Sequence, residues 1–290
     1  MAPGLRNYLI LCKPRVVLLM LLTAWAGMYL ATDHIIDWWL WFYASIGIAC
    51  ISGAAATLNH IIDHRVDALM ERTKNRPLAT GKLSLQAAQI FAVCQCSIGF
   101  GILYFLVNPL TAWLTLSAAI GYAGVYSLYL KRATSQNIVI GGLSGAMPPL
   151  LGWTAITGQL DAEGWLLVLI IFTWTPAHFW ALCLHRYHDY KKTPIPMLPI
   201  THGIPFTKLN IVLYSLLTVA SSLLPFAIGM SGMFYLVGAS LLNIGLMGYA
   251  IKLQFAAEGS PMAIKTFHYS LIYLTGLFLV LLLDHHLLIT

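Results

Sequence analysis

Residues 54–67 read Ala-Ala-Ala-Thr-Leu-Asn59-His-Ile-Ile-Asp63-His-Arg-Val-Asp67, and this stretch decides the fold. It ends an apolar run that begins near residue 40 and is long enough to cross a hydrocarbon core. Backbone inside a bilayer must satisfy its own hydrogen bonds, so we predict an α-helix. Each step of four residues advances about 40° around a helix. Asn59, Asp63 and Asp67 therefore form one predicted stripe, the acidic stripe, with Asn59 deepest in the membrane.

The rest of the chain repeats the apolar pattern. Of its 290 residues, 59% are hydrophobic and 9% are charged, whereas a soluble domain carries about 25% charged residues. The alternating segments of a membrane β-barrel are not found. We therefore predict an all-α polytopic membrane protein, a single domain over residues 1–290 with nine transmembrane helices. The predicted spans cover residues 14–32, 40–61, 86–107, 109–130, 137–157, 164–184, 208–230, 232–253 and 266–284.

The positive charges all fall on one side of these spans. All 16 Lys and Arg residues lie at the N-terminus or in the loops after spans two, four, six and eight. Because cytoplasmic loops carry the excess of Lys and Arg, we predict a cytoplasmic N-terminus and a C-terminus on the outer side of a cell inner membrane. The basic net charge thus reflects topology, and we predict no nucleic-acid partner.

The acidic stripe is predicted to bind a divalent metal. Ionisable groups at membrane depth are costly and usually face a cavity, and two carboxylates four residues apart repel each other. Mg²⁺ would remove that repulsion, since it prefers oxygen ligands and is typically shared with substrate phosphates. A basic run follows, and Arg and Lys are the side chains that bind phosphate oxygens. The run contains Arg72, Lys74 and Arg76. The alternative is a helix end that emerges into the cytoplasm beside ordinary anchoring cations.

A second polar cluster closes span six. Asp189 is predicted to hold a second metal ion or to orient a phosphate-binding cation such as Arg186 or Lys191. His185 lies one helical turn before Asp189, where a partner for that acid is expected. His178 lies within the apolar run, and two interpretations stay open: a hydrogen-bonded core residue, or a contact to the iron or a propionate of a porphyrin.

Span four ends in aromatic and basic residues. Lys131 and Arg132 are predicted to reach a diphosphate as it leaves, and Tyr126 to donate a hydrogen bond to it or to face a developing carbocation. The alternative is an interfacial aromatic belt with anchoring cations.

The acidic stripe, followed by Met-Glu-Arg-Thr-Lys-Asn-Arg-Pro at 70–77, resembles the intramembrane aromatic prenyltransferases of the UbiA-type superfamily. Stretches 126–132, 143–149 and 186–199 are similar, more narrowly, to the protohaem IX farnesyltransferase family. The resemblance implies nine helices around a central cavity capped by cytoplasmic loops. It also implies transfer of the farnesyl group of farnesyl diphosphate to a vinyl group of haem b, giving haem O.

The resemblance assigns roles to individual residues. Mg²⁺, the implied cofactor, would be bound by the acidic stripe, and Asp189 matches the acid of a second metal motif. The superfamily often has two acids four residues apart in that motif, but this chain has His185 and Asp189. The predicted catalytic residues are Asn59, Asp63, Asp67, Lys131, Arg186 and Asp189. The predicted substrate-binding residues are Arg72, Lys74, Arg76, Tyr126, Arg132, His178, His185 and Lys191.

Other functions stay open at this stage. The same chemistry on a quinone precursor or a chlorophyllide-like acceptor is the nearest alternative. A transporter or channel would place charges near several span midpoints, and a phosphotransferase would carry more acids with glycines between them. The expected partners are farnesyl diphosphate, haem b, the lipid bilayer, and terminal oxidase assembly or haem A synthase.

Overall fold

The computed structural model describes residues 4–68, 73–193 and 195–289, and within these ranges every regular element is helical. The elements, in chain order, are α1 Leu5–Leu11, α2 Pro14–Leu30, α3 Trp38–Asp67, α4 Leu85–Leu106, α5 Pro109–Ile120, a π-helix Gly121–Leu130, α6 Lys131–Ala133, α7 Asn137–Ala146, α8 Pro148–Thr157, α9 Ala162–His185, α10 Tyr187–Lys191, α11 Leu198–Thr201, α12 Ile204–Ala227, α13 Met233–Phe255 and α14 Met262–Ile289.

Seven helical segments are long and apolar enough to cross a membrane in the described part of the chain. They are α3, α4, α7 with α8, α9, α12, α13 and α14. The pair α1–α2, bent by 51°, makes an eighth if it is one span. The predicted all-helical, multi-pass architecture is thus confirmed, while the count of nine stays a prediction. Residues 109–130, the fourth predicted span, are not among these long helices. They form a 12-residue α-helix followed by a 10-residue π-helix.

That change divides the fourth predicted span into α5 and the π-helix. Asn108 caps α5 by accepting a hydrogen bond from the Thr111 amide at 2.8 Å, and Pro109 occupies the first turn. From Gly121 the backbone winds as a π-helix for ten residues. Within it the Ser127 hydroxyl donates to the Tyr122 carbonyl, five residues back, at 2.8 Å. Such π segments occur mostly as single turns and often lie at functional sites.

Close backbone contact joins α2 to α8. A Cβ atom on Gly152 would meet the Ala24 carbonyl, and one on Gly27 would meet the Pro149 carbonyl. Small residues at such contacts let membrane helices approach closely. The Met147-Pro148 step ends α7 and begins α8, so the fifth predicted span is broken near its middle, where proline removes a helix hydrogen bond.

The described part of the loop after α9 packs against the end of α3. Its short helices are α10 and α11. Tyr190, Ile195 and Met197 are buried together with Cys183 of α9, and Val66 of α3 packs against them. Val66 directly precedes Asp67, so the segment that follows Asp189 packs next to the outer end of the acidic stripe. Pro194 lies outside the described residues.

Candidate active site

The acidic stripe lies on a buried face near the end of α3. Asn59, Asp63 and Asp67 are 5%, 3% and 6% exposed. With 30 residues, α3 is about 45 Å long, whereas a hydrocarbon core is about 30 Å thick. The helix is therefore longer than the apolar layer is thick, and its last turns carry the stripe. They are buried by protein, as predicted for polar groups facing an internal site.

The π-helix and the first residue of α6 supply the partners of the deeper half of the stripe. Lys131 Nζ lies 2.6 Å from Asp63 Oδ2. Asn59 Nδ2 donates to the same carboxylate oxygen at 2.8 Å and to Ser127 Oγ at 3.1 Å. Ser127 and Lys131, which are four residues apart, thus contact Asn59 and Asp63, which are also four residues apart. Lys131, predicted to reach a leaving diphosphate, thus contacts the acidic stripe, and its role with the diphosphate stays a prediction. Ser127 is a further contact of the stripe that sequence reasoning did not select.

Lys13 is a second residue that sequence reasoning missed. Its Nζ donates to Asn59 Oδ1 at 2.6 Å and lies 6.0 Å from the centroid of the Tyr122 ring. Lys13 has φ 49°, the only positive φ among the non-glycine residues of the described chain. Left-handed backbone in such a residue costs about 1–3 kcal/mol and clusters at functional sites. The only signal in the sequence was a lysine directly before Pro14, at the start of a span.

The outer end of the stripe is closed by the basic loop. Arg76 Nη1 lies 2.7 Å from Asp67 Oδ2, and the Thr73 hydroxyl donates to the Asp67 carbonyl at 2.8 Å. Lys74, by contrast, is exposed. Arg72, the third predicted cation of the loop, lies outside the described residues.

The remaining span-four residues flank the same cluster. The Tyr126 ring stacks on Tyr122, with centroids 5.8 Å apart and planes 22° apart, and a Cβ on Gly141 of α7 would meet the Tyr126 ring. Arg132 is exposed, and its Nη2 donates to the Ile62 carbonyl at 3.4 Å. Tyr126 therefore borders the interior, whereas Arg132 lies at the rim.

An apolar cavity begins at this polar cluster. It has a volume of about 190 Å³, and Lys13 and Tyr122 line its polar end. The other lining residues come from α2, α3, α5, α7 and α8, and all but Ser52, Thr115 and Ser144 are apolar or glycine. The site thus joins buried charges to a pocket that fits a hydrocarbon chain.

The donors fit a metal that is shared with a phosphorylated substrate. Two carboxylates, Asp63 and Asp67, and the Asn59 amide offer oxygen ligands of the kind that Mg²⁺ prefers. In the described ranges, no three His, Cys, Asp or Glu residues are grouped to hold a metal on their own. Mg²⁺ usually keeps waters and substrate phosphates among its ligands, so the residues present fit a Mg²⁺–diphosphate complex.

Comparison with known proteins agrees with this geometry. Residues 20–272 match the model of the UbiA prenyltransferase family. The chain belongs to the UbiA prenyltransferase family. A relative from Marinobacter nauticus is 54% identical over 280 residues, covering 97% of this chain and 92% of the relative. One from Legionella pneumophila is 56% identical over 281 residues, covering 97% and 95%. Both are named "Protoheme IX farnesyltransferase".

Solved structures share the fold of this UbiA prenyltransferase. A digeranylgeranylglyceryl phosphate synthase has a TM-score of 0.82 at 18% identity, covering 97% of this chain and 98% of that one. A UbiA homologue from Archaeoglobus fulgidus, bound to GPP and Mg²⁺, has a TM-score of 0.66 at 18% identity, covering 95% and 99%.

The second polar cluster of this UbiA prenyltransferase divides between two places. Arg186 Nη1 lies 3.7 Å from Asp189 Oδ2, with side chains 39% and 22% exposed; an ion pair this exposed contributes little to stability. Their neighbour Tyr190 packs in the cluster that touches Val66, on the side of the acidic stripe. His185 instead lines a separate cavity of about 470 Å³. Lys191 is exposed.

His178 is packed between aromatic rings. Its ring centroid lies 4.2 Å from that of Trp174 and 4.5 Å from that of Phe267. Its Nδ1 is 2.7 Å from Ser270 Oγ. This environment matches the hydrogen-bonded core residue of the two sequence-based interpretations, and the porphyrin contact stays a prediction.

Proposed function

We propose that this protein transfers the farnesyl group of farnesyl diphosphate to a vinyl group of protohaem IX (haem b), which gives haem O and diphosphate. One observation carries the proposal: the buried cluster of carboxylates and cations opens onto an apolar cavity. That is the shape of a charged head joined to a hydrocarbon tail. The 54% and 56% identical relatives support haem as the acceptor.

The acidic stripe would hold Mg²⁺ through Asn59, Asp63 and Asp67. When bound, the ion neutralises negative charge on the leaving diphosphate. Lys13, Arg76 and Lys131 already lie within 2.6–2.7 Å of the stripe. Their N–H groups would bind the diphosphate oxygens and stabilise the charge that builds up as the C1–O bond breaks. Lys74 and Arg132 would add cations at the rim, and Arg72, outside the described residues, is a further cation that the sequence predicts for the diphosphate.

Aromatic rings and the apolar cavity would stabilise the allylic cation and protect it from water. With the diphosphate at Lys13 and Lys131, farnesyl C1 would lie near the stacked rings of Tyr122 and Tyr126, whose faces attract positive charge. The rest of the farnesyl chain would lie in the apolar cavity. Its walls exclude water, which would otherwise capture the cation early.

The acceptor would enter from the side of α9 and α10. A haem vinyl carbon would form the new C–C bond, and water would add to the resulting cation with loss of a proton. Asp189 would orient Arg186 toward the diphosphate; a second metal at Asp189 is the other role open to it. His178, His185 and Lys191 are the candidate contacts of the porphyrin. Haem O would then pass to haem A synthase or terminal oxidase assembly.

We further propose nine spans in a cell inner membrane, with the N-terminus cytoplasmic and the C-terminus outside. The charge division and the helical course of 109–130 through α5 and the π-helix support this arrangement. A cysteine at Lys82, between α3 and α4, should react only from the cytoplasmic side, and one at Gln159, between α8 and α9, only from outside. Both positions are exposed. The reverse pattern in a cysteine-free background would contradict the orientation.

The function is tested with purified protein, haem b, farnesyl diphosphate and Mg²⁺, by mass spectrometry of extracted haem. Wild type should give farnesylated haem, and Asp63→Asn should give none. The control Asp33→Asn should match wild type, because the Asp33 side chain is 73% exposed and far along the chain from the stripe. Consumption of the diphosphate on a phenolic acceptor but not on haem would move the protein to quinone precursors. If the diphosphate is not consumed with any acceptor, the proposal that this protein is a prenyltransferase is refuted.

A further inference from the structure

His60 directly follows Asn59 on α3, and neither nitrogen of its ring has a role in the site described above. The side chain is 2% exposed. Among the described residues, neither Nδ1 nor Nε2 of the ring has a hydrogen-bond partner. Most buried polar atoms in native proteins are paired, so a ring with two unpaired nitrogens needs an explanation.

The row of α3 residues that contains His60 lines the apolar cavity. Ser52 and Ala56 are lining residues of that cavity, and residues four apart lie one above the other on a helix. His60 is the next residue of this row, one turn beyond Ala56 and toward the charged end, where Lys13 lines the cavity. The ring therefore lies where the apolar cavity meets the buried charges.

The charged side chains that act on the ring are cations. Lys13 and Arg76 both interact electrostatically with His60, and they contact the acidic stripe from two different segments, at Asn59 and at Asp67. Imidazole offers at least one N–H donor in either protonation state, whereas lysine and arginine accept no hydrogen bond. An anion held between Lys13 and Arg76 would accept hydrogen bonds from all three side chains.

His64, one turn farther along the same row, provides a comparison. It is half-buried, and its Nδ1 lies 2.8 Å from the Ile61 carbonyl, which can accept the ring N–H. The ring of His64 is thus paired within its own helix. The ring of His60, which is more deeply buried, keeps its N–H for a partner that comes from outside the chain.

We propose that His60 is a diphosphate-binding residue, whose ring N–H donates to an oxygen of the substrate's diphosphate between Lys13 and Arg76. The inference rests on the proposed function, since it takes the diphosphate to bind at the charged end of the apolar cavity. The hydrogen bond would hold the diphosphate at the mouth of the cavity, with the prenyl chain directed inward. In the free protein the same ring is an unpaired buried polar group, so His60 increases affinity at the expense of stability.

The first test measures stability and binding in the same variants. His60→Leu removes the polar atoms and keeps a buried side chain of similar bulk. Its Tm should equal or exceed that of wild type, because an unpaired polar group is lost. Its affinity for farnesyl thiolodiphosphate, an unreactive analogue, should fall about tenfold or more in the presence of Mg²⁺, because a hydrogen bond to a charged group is lost. Unchanged affinity would overturn the proposal, and a lower Tm with unchanged affinity would make His60 a structural residue of α3.

Three further variants separate the N–H group from the shape of the side chain. His60→Asn keeps an N–H donor near the position of Nδ1, and His60→Gln keeps one near Nε2. At least one of them should recover most of the affinity that His60→Leu loses. The control His64→Leu should bind the analogue like wild type. If both amide variants bind as weakly as His60→Leu, or if His64→Leu weakens binding equally, the proposal fails.

Binding of inorganic diphosphate with Mg²⁺ separates this inference from the proposed function, because it needs neither a prenyl chain nor an acceptor. His60→Leu should weaken it by about the same factor as the thiolodiphosphate, and a loss confined to the thiolodiphosphate would overturn the proposal. Weaker binding in His60→Leu together with no haem product in wild type would uphold His60 and refute haem as acceptor. Unchanged binding in His60→Leu together with normal haem farnesylation in wild type would refute the role of His60 alone.

Discussion

Replacing Lys131 by methionine should separate the stability of the site from its activity. Lys131 and Asp63 form an ion pair at 2.6 Å with side chains 16% and 4% exposed. Methionine is similar in length but cannot pair. Among the described residues, the Asn59 amide would be the side-chain contact left to the buried Asp63 carboxylate.

The cost can be estimated from the burial of the pair. Breaking a buried ion pair by removing one partner costs about 3–5 kcal/mol, because a charge stays buried without compensation. Lys13 contacts Asn59 and Arg76 pairs with Asp67, the neighbours of Asp63 on the stripe. Because these nearby positive charges offset part of the cost, we expect the lower end, about 3 kcal/mol. For a chain of this size that corresponds to a fall in Tm of about 6–10 °C.

The assay is thermal unfolding in detergent, followed by circular dichroism of the helices. The double variant Asp63→Asn, Lys131→Met has no unpaired charge and should recover most of the lost Tm, although it stays inactive. Lys82→Met, at an exposed lysine, is the control and should melt like wild type. A double variant that melts as low as Lys131→Met would refute the coupling between the two residues.

Three further predictions can be checked with the same preparation. A chelator should abolish haem farnesylation, and added Mg²⁺ should restore it; full activity in chelator would contradict a metal on the acidic stripe. Lys13→Met should lower kcat by about 10²-fold and weaken thiolodiphosphate binding, since one charge-stabilising donor is lost, whereas Arg15→Met, at an exposed residue, should match wild type. Gly152→Val should lower Tm by several degrees because its side chain would meet the Ala24 carbonyl. Gly101→Val, where a Cβ meets nothing within 4 Å, should not, and equal losses would assign the effect to helix propensity.

The acidic stripe was predictable because it depends only on the spacing of residues along one helix. A period of four residues within an apolar run places Asn59, Asp63 and Asp67 on one helix whatever the rest of the fold does. Their burial followed from the cost of charge at membrane depth. The clustering of Lys and Arg on alternate loops likewise defined the multi-pass architecture without any tertiary contact.

The partners of the stripe were less predictable because they depend on packing between distant segments. Ser127 contacts Asn59 from a π-helix, and a π-helix cannot be predicted from the periodicity of the residues. Lys13 reaches Asn59 from a different span, and in the sequence it looks like any anchoring lysine. His185 and Asp189 are one turn apart in the sequence, yet His185 lines a separate cavity, because α9 ends between them.

The charge balance of the site explains why it would bind a metal and a diphosphate together rather than either alone. Asp63 and Asp67 contribute two negative charges, and Lys13, Arg76 and Lys131 contribute three positive ones. A divalent cation alone would add to a positive surplus and would compete with lysine and arginine for carboxylates that they already contact. A diphosphate alone would more than cancel the surplus and leave excess negative charge in a buried place. The two together keep the cluster close to neutral, which is the state that a low-dielectric site tolerates best. Such a site would select the metal–diphosphate complex, and the diphosphate would leave only after the C1–O bond breaks.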